Sequence, residues 1–255
     1  MTVRYEVDPP RATITIDDPE RRNPLSTDAI AEVLEMVKEA EADDEVRVIV
    51  ITGAGDRAFS AGADLRSGFV DQPEALHQAR RVLADLFRTL RRGKPTVARV
   101  NGHALAGGFG LAAACDVVVA TEEARFGTPE IDVGLWPMMI TAVLQRVMPH
   151  KTLLELMMTG RLVSADEAQR LGVVSRVVPG SELDAAVDEV VAGLAAKSPV
   201  ILAKGRQSFY EVEDLDLDTA LDILHERLTE VAQTEDAREG VQAFLDKRPP
   251  EWKGR

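Results

Sequence analysis

The strongest structural signal in the chain is the stretch KPTVARVNGHALAGGFGLAAACD (94–116), which runs directly into VVVAT (117–121). Its opening residues, PTVARVNG, form an apolar run typical of a buried strand, and VVVAT forms another. The Ala-rich segment between them is long enough only for a short helix. The stretch therefore predicts a strand, a glycine-rich turn, a short helix and a second strand in close succession.

The residues on either side extend this alternation. TITID (13–17) and VRVIVITG (46–53) predict strands, and VVSRVV (173–178) predicts a later one. Ser26 or Thr27 is expected to cap the first helix. Further helices are predicted near 74–91, 107–115, 137–148, 150–159, 164–171, 182–196, 199–212, 217–233 and 235–247. The prediction is an α/β core over residues 1–195, followed by a helical segment over residues 196–255.

Composition and charge exclude several classes of function. The chain has 45% hydrophobic and 29% charged residues, which is ordinary for a soluble domain. No apolar run reaches the roughly 18 residues of a membrane helix, and the N-terminus lacks the apolar region of a signal peptide. The single Cys115 permits neither an intrachain disulfide nor a Cys-based zinc site. We therefore expect a cytoplasmic protein without a membrane partner or a bound metal.

The net charge of −13 comes from 43 acidic and 30 basic residues. Nucleic acids bind through basic surfaces, so no nucleic-acid partner is expected. A phosphorylated small molecule can still bind where a few basic side chains cluster, because salt screens charges farther than about 8–10 Å away.

The glycines of the central stretch resemble a dinucleotide-binding motif. Gly108, Gly110 and Ala113 spell G-x-G-x-x-A, and Glu130 follows twenty residues after Gly110. Too few residues separate this motif from the next strand to form a βαβ crossover. Two interpretations remain: the glycines permit tight packing, or their backbone N–H groups open onto a helix N-terminus and bind an oxyanion.

A second loop of small residues favours the oxyanion interpretation. RAFSAGADL (57–65) also lies between a buried strand and a helix, and two such turns can converge on one carbonyl oxygen. Six segments then resemble, in order, those of the crotonase superfamily, the enoyl-CoA hydratase/isomerase proteins. They are RRNPLS (21–26), FSAGADL (59–65), KPTVARVNGHALAGGFGLAAACD (94–116), FGTPEIDVGLWP (126–137), MTGRLVSADEAQRLGVVSRVVP (158–179) and TEDAREGVQAFLDKRPPEW (234–252).

The resemblance implies a crotonase-type ββα spiral core with a C-terminal helical segment for oligomerisation, as a homotrimer or a dimer of trimers. It implies an acyl-CoA substrate, whose thioester oxygen is bound by the backbone N–H groups of Ala63 and Gly107. CoA is part of the substrate, so no separate cofactor is expected. Glu130 matches the catalytic glutamate of the PE segment.

The resemblance breaks at Gly110, where hydratases of this family hold a second glutamate. A hydratase uses a paired acid and base, whereas a double-bond isomerase can work with one carboxylate. We therefore expect enoyl-CoA isomerisation. The alternatives are a hydratase or specialised acyl-CoA lyase with a different second acid, and a non-catalytic acyl-CoA-binding protein. If neighbouring side chains fill the volume of the missing glutamate, Phe109 and Met138 are the candidates.

The remaining site residues follow from the same resemblance. The backbone at Ala61, Ala63 and Leu65 matches the segment that contacts the adenine, and Arg57 and Lys247 are expected to contact phosphates.

Five side chains near these segments have a structural interpretation as well as a functional one. Trp136 and Met138 would either line the acyl pocket or belong to the core. Asp64 is expected to contribute as a helix cap rather than as a general acid. Asp132 and His103 are expected to be structural.

Overall fold

The computed structural model of the chain describes residues 2–66 and 75–255. The strands are β1 (Val3–Asp8), β2 (Arg11–Ile16), β3 (Val48–Gly53), β4 (Ala58–Ser60), β5 (Thr96–Val100), β6 (His103–Leu105), β7 (Val117–Thr121), β8 (Arg125–Gly127), β9 (Leu162–Ser164) and β10 (Arg176–Val178). The helices are α1 (Thr27–Ala42), α2 (Ala75–Leu90), α3 (Gly107–Ala114), α4 (Met138–Val147), α5 (His150–Thr159), α6 (Ala165–Arg170), α7 (Leu183–Ala195), α8 (Pro199–Val212), α9 (Leu217–Ala232) and α10 (Glu235–Asp246).

The strands form two sheets. The larger has the order β1-β2-β3-β5-β7-β10 and is parallel except for the antiparallel pair β1–β2. The smaller has the order β4-β6-β8-β9 and is parallel except for β8–β9. Every residue of β3 is buried, as the uninterrupted apolar run predicts for a strand covered on both faces.

The chain passes between the two sheets in a repeating order. β3 is followed by β4 and α2, β5 by β6 and α3, and β7 by β8 and then α4. Each repeat therefore places one strand in the large sheet, one in the small sheet and one helix outside them. This confirms the predicted α/β class with a ββα spiral core and helices at the C-terminus.

The core lies on both faces of the large sheet. On one face Val48, Val50, Val97 and Val119 pack against Leu183, Val187 and Val191 of α7. The other face is covered mainly by α1, α2 and α3, together with the small sheet. Ser26 caps α1, accepting a hydrogen bond from the Ala29 N–H (3.1 Å), which resolves the choice between Ser26 and Thr27.

A half-buried carboxylate is among the groups that join the C-terminal helices to the core. Asp116, just before β7, accepts hydrogen bonds from the Arg206 guanidinium and the Tyr210 hydroxyl of α8. It also accepts from the backbone and side chain of Thr96. The predicted boundary at residue 195 falls at the last residue of α7.

The strands β4, β6, β8 and β9 were not among the sequence predictions, and neither was β1. Four of them have three residues each, too short for a period-two pattern to be recognised. Three of these short strands position the candidate active site.

Candidate active site

Three adjacent parallel strands of the small sheet end at one edge. These are β4, β6 and β8, which pair in that order. Because carboxyl ends of parallel strands lie together, the segments that follow them also meet there. They are Ala61–Ala63, Ala106–Gly107 and Thr128–Glu130. The sheet therefore brings both small-residue loops and the PE segment to one place.

The first loop is fixed by a parallel bridge between Leu25 and Ala63. The Leu25 N–H donates to the Gly62 carbonyl oxygen (2.7 Å), and the Asp64 N–H donates to the Leu25 carbonyl oxygen (3.3 Å). Leu25 thus pairs with the residues on either side of Ala63, so the Ala63 N–H points away from it. Gly62 has a φ of +88°, a conformation that favours glycine.

The second loop turns sharply at Ala106, whose φ of 52° and ψ of −126° are rare for a residue with a Cβ. The Ala106 N–H donates to the Gly127 carbonyl oxygen (2.9 Å), which ties this turn to the end of β8. Gly107 then begins α3, and the first N–H groups of a helix have no intrahelical acceptor. The turn, whose strain costs on the order of 1–3 kcal/mol, therefore presents the Gly107 N–H at the start of the helix.

The two loops are in contact. A Cβ on Gly62 would lie 2.5 Å from the Ala106 Cβ and 3.0 Å from the Gly107 N, and a Cβ on Gly107 would lie 3.9 Å from the Ala63 N. Within residues 2–66 and 75–255, neither the Ala63 nor the Gly107 N–H donates to another protein group. Two free donors close together are the arrangement that stabilises an oxyanion.

Glu130 lies in the segment that follows β8, at the same end of the small sheet as the two loops. It lies in a short 3₁₀ helix (Pro129–Val133), and its Oε2 is buried without a hydrogen-bond partner in the part of the chain that the structure describes. Burial raises the pKa of Glu130 to about 7, offset in part by its own backbone amide. A carboxyl group with this pKa can both accept and return a proton near neutral pH.

Ile140 and Phe87 line the space into which a side chain at Gly110 would point. A Cβ on Gly110 would lie 2.2 Å from the Ile140 Cγ2, 2.6 Å from the Ile140 Cβ and 3.4 Å from the Phe87 Cζ. Phe109 is fully buried and packs against Phe126, with ring centroids 5.6 Å apart. Met138 is 72% exposed. Ile140 therefore occupies this space, and a contribution of Phe109 or Met138 to it stays a prediction.

Asp64 lies close to the first loop but is engaged elsewhere. Its carboxylate binds the Arg21 guanidinium (2.7 Å) and accepts from the Arg66 N–H (3.1 Å). The Arg21 guanidinium, above all, holds the pKa of Asp64 below its usual range. An ionised, paired carboxylate is poorly suited to act as a general acid. The role as a cap of the following helix stays a prediction, because residues 67–74 lie outside those described.

The other predicted side chains lie at the surface around the edge. Asp132 is exposed, and its carboxylate oxygens lie beside Gly160 at the end of α5. Trp136 is about one third exposed, and Leu65 and Met138 are exposed. Ala61 uses its N–H for the Arg22 carbonyl oxygen (2.9 Å), which leaves its carbonyl group for a ligand.

Arg57 lines a cavity of about 290 Å³ together with Arg22, His103 and Glu123. Burial, followed by the charges of Arg125 and Arg22, lowers the pKa of His103. Lys247 lies elsewhere, at the exposed end of α10, a helix that packs on α8 and α9. Arg57 precedes β4, whereas the first loop follows that strand, so the two lie at opposite ends of β4. No contact that the structure describes brings Lys247 to the first loop.

The described ranges contain neither a candidate metal site nor a candidate membrane-spanning helix. No group of three or more His, Cys, Asp or Glu side chains within 2–66 and 75–255 could hold a metal ion. Over the same residues, none of the helices has the length and hydropathy needed to cross a bilayer.

The sequence pointed to the two small-residue loops and to Glu130. It did not predict the contacts made by Ile140, Phe87 and Arg21. The signal for Arg21 was present in RRNPLS, one of the six segments. The contacts of Ile140 and Phe87 with Gly110 join three different helices, and no local pattern predicts them.

Two free backbone donors on neighbouring loops, with a half-buried carboxylate on the segment that follows the next strand of a ββα spiral, suit an acyl-transfer or enolate-forming enzyme. The family model for enoyl-CoA hydratase/isomerase matches residues 11–255. The short-chain-enoyl-CoA hydratase of Clostridium acetobutylicum is 35% identical over 240 residues, 93% of this chain and 92% of that protein. The (E)-benzylidenesuccinyl-CoA hydratase of Thauera aromatica is 31% identical over the full length of both chains.

The crystal structure of an enoyl-CoA hydratase from Mycobacterium smegmatis has a TM-score of 0.94 and 33% identity, covering 99% of each chain. This chain belongs to the enoyl-CoA hydratase/isomerase family of the crotonase superfamily, and it is an enzyme of that class.

Proposed function

We propose that this enzyme moves the double bond of an enoyl-CoA by means of one carboxylate. The N–H groups of Ala63 and Gly107 bind the thioester oxygen, and Glu130 takes a proton from C2 of a 3-enoyl-CoA. The electrons of the broken C–H bond pass to the oxygen as a dienolate. Glu130 then returns the proton to C4, and the product is the 2-enoyl-CoA. The observation that carries the proposal is Glu130, whose Oε2 is buried without a hydrogen-bond partner among the described residues and whose pKa is raised by burial to about 7, in a chain with Gly110 where a second acid would be expected.

The oxyanion donors suit this chemistry because they act on charge that develops during the reaction. Loss of the C2 proton places negative charge on the thioester oxygen, and one well-placed donor stabilises such a transition state by about 3–4 kcal/mol. The loops hold the backbone donors in place, so no side chain has to move before they can stabilise the charge on the thioester oxygen. They therefore act during the proton transfer itself.

Hydration by Glu130 with a different second acid is the competing proposal. It is favoured by the names of the relatives from C. acetobutylicum and T. aromatica, both of which are hydratases. The nearby acids argue against it, since Asp64 is paired with Arg21 and Asp132 is exposed beside Gly160. Isomerisation requires no second acid, and for that reason it is the reaction that we propose.

The CoA portion of the substrate is proposed to lie along the first loop. The carbonyl of Ala61 and the backbone of Ala63 and Leu65 would contact the adenine, and Arg57 and Lys247 would contact phosphates. Trp136 and Met138, both partly or largely exposed, are available to the acyl chain. No cofactor beyond the CoA of the substrate, and no metal, enters this scheme.

The enzyme is proposed to act in the cytoplasm as a homotrimer or a dimer of trimers. Helix α9 has no buried residue, and its Leu217, Leu221, Leu224 and Leu228 recur at helical spacing as exposed side chains. An uncovered apolar stripe of this kind supports an interface between copies. A mass of three or six times 27.8 kDa by sedimentation equilibrium would agree with this, and a monomer would contradict it.

Turnover of two substrates in parallel tests the proposed reaction. We expect a 3-enoyl-CoA to be converted to the 2-enoyl-CoA at least about tenfold faster than a 2-enoyl-CoA is hydrated, since only hydration gains from a second acid. Faster hydration would overturn the proposal in favour of the hydratase. Binding of both substrates without turnover would identify a non-catalytic acyl-CoA-binding protein.

The pH dependence of isomerisation should follow Glu130. A general base works only in its ionised form, and burial raises the pKa of Glu130 to about 7. We therefore expect kcat/KM to be constant above about pH 8 and to fall about tenfold per pH unit below about pH 6. A profile measured from pH 5 to pH 9 that stays flat down to pH 5 would contradict this assignment.

A further inference from the structure

The volume beside Gly110 is enclosed by apolar side chains. Ile140, from the first turn of α4, is 3% exposed, and Phe87 of α2 is 6% exposed. Ile140 approaches with its branched end, so that its Cγ2 and Cβ are the atoms nearest to where a side chain at position 110 would begin. Because β-branched side chains have few χ1 rotamers in a helix, Ile140 cannot easily turn away.

Position 110 lies one turn of α3 from a proposed oxyanion donor. Gly110 lies three residues after Gly107, a rise of about 4.5 Å along the helix axis. Because the Gly107 N–H is proposed to bind the thioester oxygen, we place the neighbouring acyl carbons beside position 110.

Resting on the isomerisation proposed above, we infer that Ile140 is a specificity-determining residue, which occupies the place of a second acid and keeps water from the acyl chain on the α3 side. The atoms of Gly110, Ile140 and Phe87 that meet there are carbons. A bound water needs about two to four polar partners, and these side chains supply none. Glu130 is then the proton donor to C4 of the dienolate. The 2-enoyl-CoA that forms meets no bound water on this side, so addition of water to its C2–C3 double bond is disfavoured.

Paired substitutions at positions 110 and 140 test the inference. Hydration of a 2-enoyl-CoA is measured for the wild type, Gly110→Glu, Gly110→Glu/Ile140→Gly and Gly110→Glu/Ile140→Val, with folding checked by thermal melts. Glycine removes both the Cβ and the Cγ2 of Ile140 that stand against Gly110, and valine is the matched control because it keeps both atoms. We expect the glycine pair to hydrate roughly 10²-fold faster than the wild type, since a second acid then has room to act.

Gly110→Glu alone and the valine pair should stay within about threefold of the wild-type hydration rate, because overpacking forces the new carboxylate out of position. If either hydrated as fast as the glycine pair, Ile140 would not be the barrier and the inference would be overturned.

A single substitution keeps the inference testable if the pairs do not fold. Ile140→Ser opens space beside Gly110 and supplies a hydroxyl group to hold a water there, so the fraction of 3-hydroxyacyl-CoA among products formed from a 3-enoyl-CoA should rise by about threefold or more. An unchanged fraction in a folded Ile140→Ser protein would overturn the inference.

Failure of the proposed function gives a different pattern. A wild type that does not isomerise 3-enoyl-CoA, combined with a large gain of hydration in the glycine pair, would refute the proposed reaction and leave the role of Ile140 intact. A wild type that isomerises, combined with no gain in the folded glycine pair, would refute the role of Ile140 alone.

Discussion

Replacing Glu130 by Gln is expected to lower kcat for isomerisation by about 10²–10⁴-fold, the usual cost of removing a general base. The amide has nearly the same shape as the carboxyl group but cannot accept the C2 proton. Binding of the CoA thioester should change little, because the oxyanion donors and the CoA contacts lie on other residues. The measurement is kcat with a 3-enoyl-CoA, together with calorimetric binding of a saturated acyl-CoA.

Asp132→Asn is the matched control for this substitution. It removes a carboxylate two residues away that is exposed and lies beside Gly160. We expect its kcat to stay within about threefold of the wild type, as for surface changes away from the chemistry. A Glu130→Gln protein that kept more than about a tenth of the wild-type kcat would show that another group is the base.

The second large effect is expected for Gly107→Pro, which removes a backbone donor without removing a side chain. Proline is well accepted at the first position of a helix, where its missing N–H breaks no intrahelical bond. Loss of one oxyanion donor typically costs about 10²–10³-fold in kcat. We expect a loss of this size, measured with a 3-enoyl-CoA after circular dichroism has confirmed that the variant is folded.

Gly107→Ala is the control, because it adds a carbon but keeps the N–H. The nearest atom to the new Cβ would be the Leu25 Cδ1 at 3.4 Å, an ordinary contact. Its kcat should therefore lie at least about tenfold above that of the proline variant. Equal activity of a folded proline variant and the alanine variant would mean that the Gly107 N–H does not bind the thioester oxygen.

Much of the fold could be predicted because long apolar runs and capping residues are local signals. The strand at Val48–Gly53 and the helix beginning after Ser26 were recognised in this way. The short strands could not be, since three residues such as Ala58–Ser60 carry no periodicity. They form only because neighbouring segments already pair beside them.

In the candidate site, too, the features with a local sequence motif could be predicted and those that depend on tertiary contacts could not. Glu130 and the two loops are visible as motifs, whereas the free N–H of Ala63 depends on a bridge to Leu25 that no motif contains. Sequence also showed that Gly110 lacks a carboxylate, but not what replaces it. The contact with Ile140 joins α3 to α4, and such packing depends on how two helices cross.

Tracing the transferred proton tests most directly whether one carboxylate performs both steps. A 3-enoyl-CoA labelled with deuterium at C2 is converted in ordinary water during a single turnover, and the product is analysed by mass spectrometry and NMR. If Glu130 alone carries the proton, part of the label should appear at C4 of the 2-enoyl-CoA, and Glu130→Gln should form almost none of this product. A product with only solvent protons at C4, or 3-hydroxyacyl-CoA as the main product, would contradict the single-carboxylate mechanism.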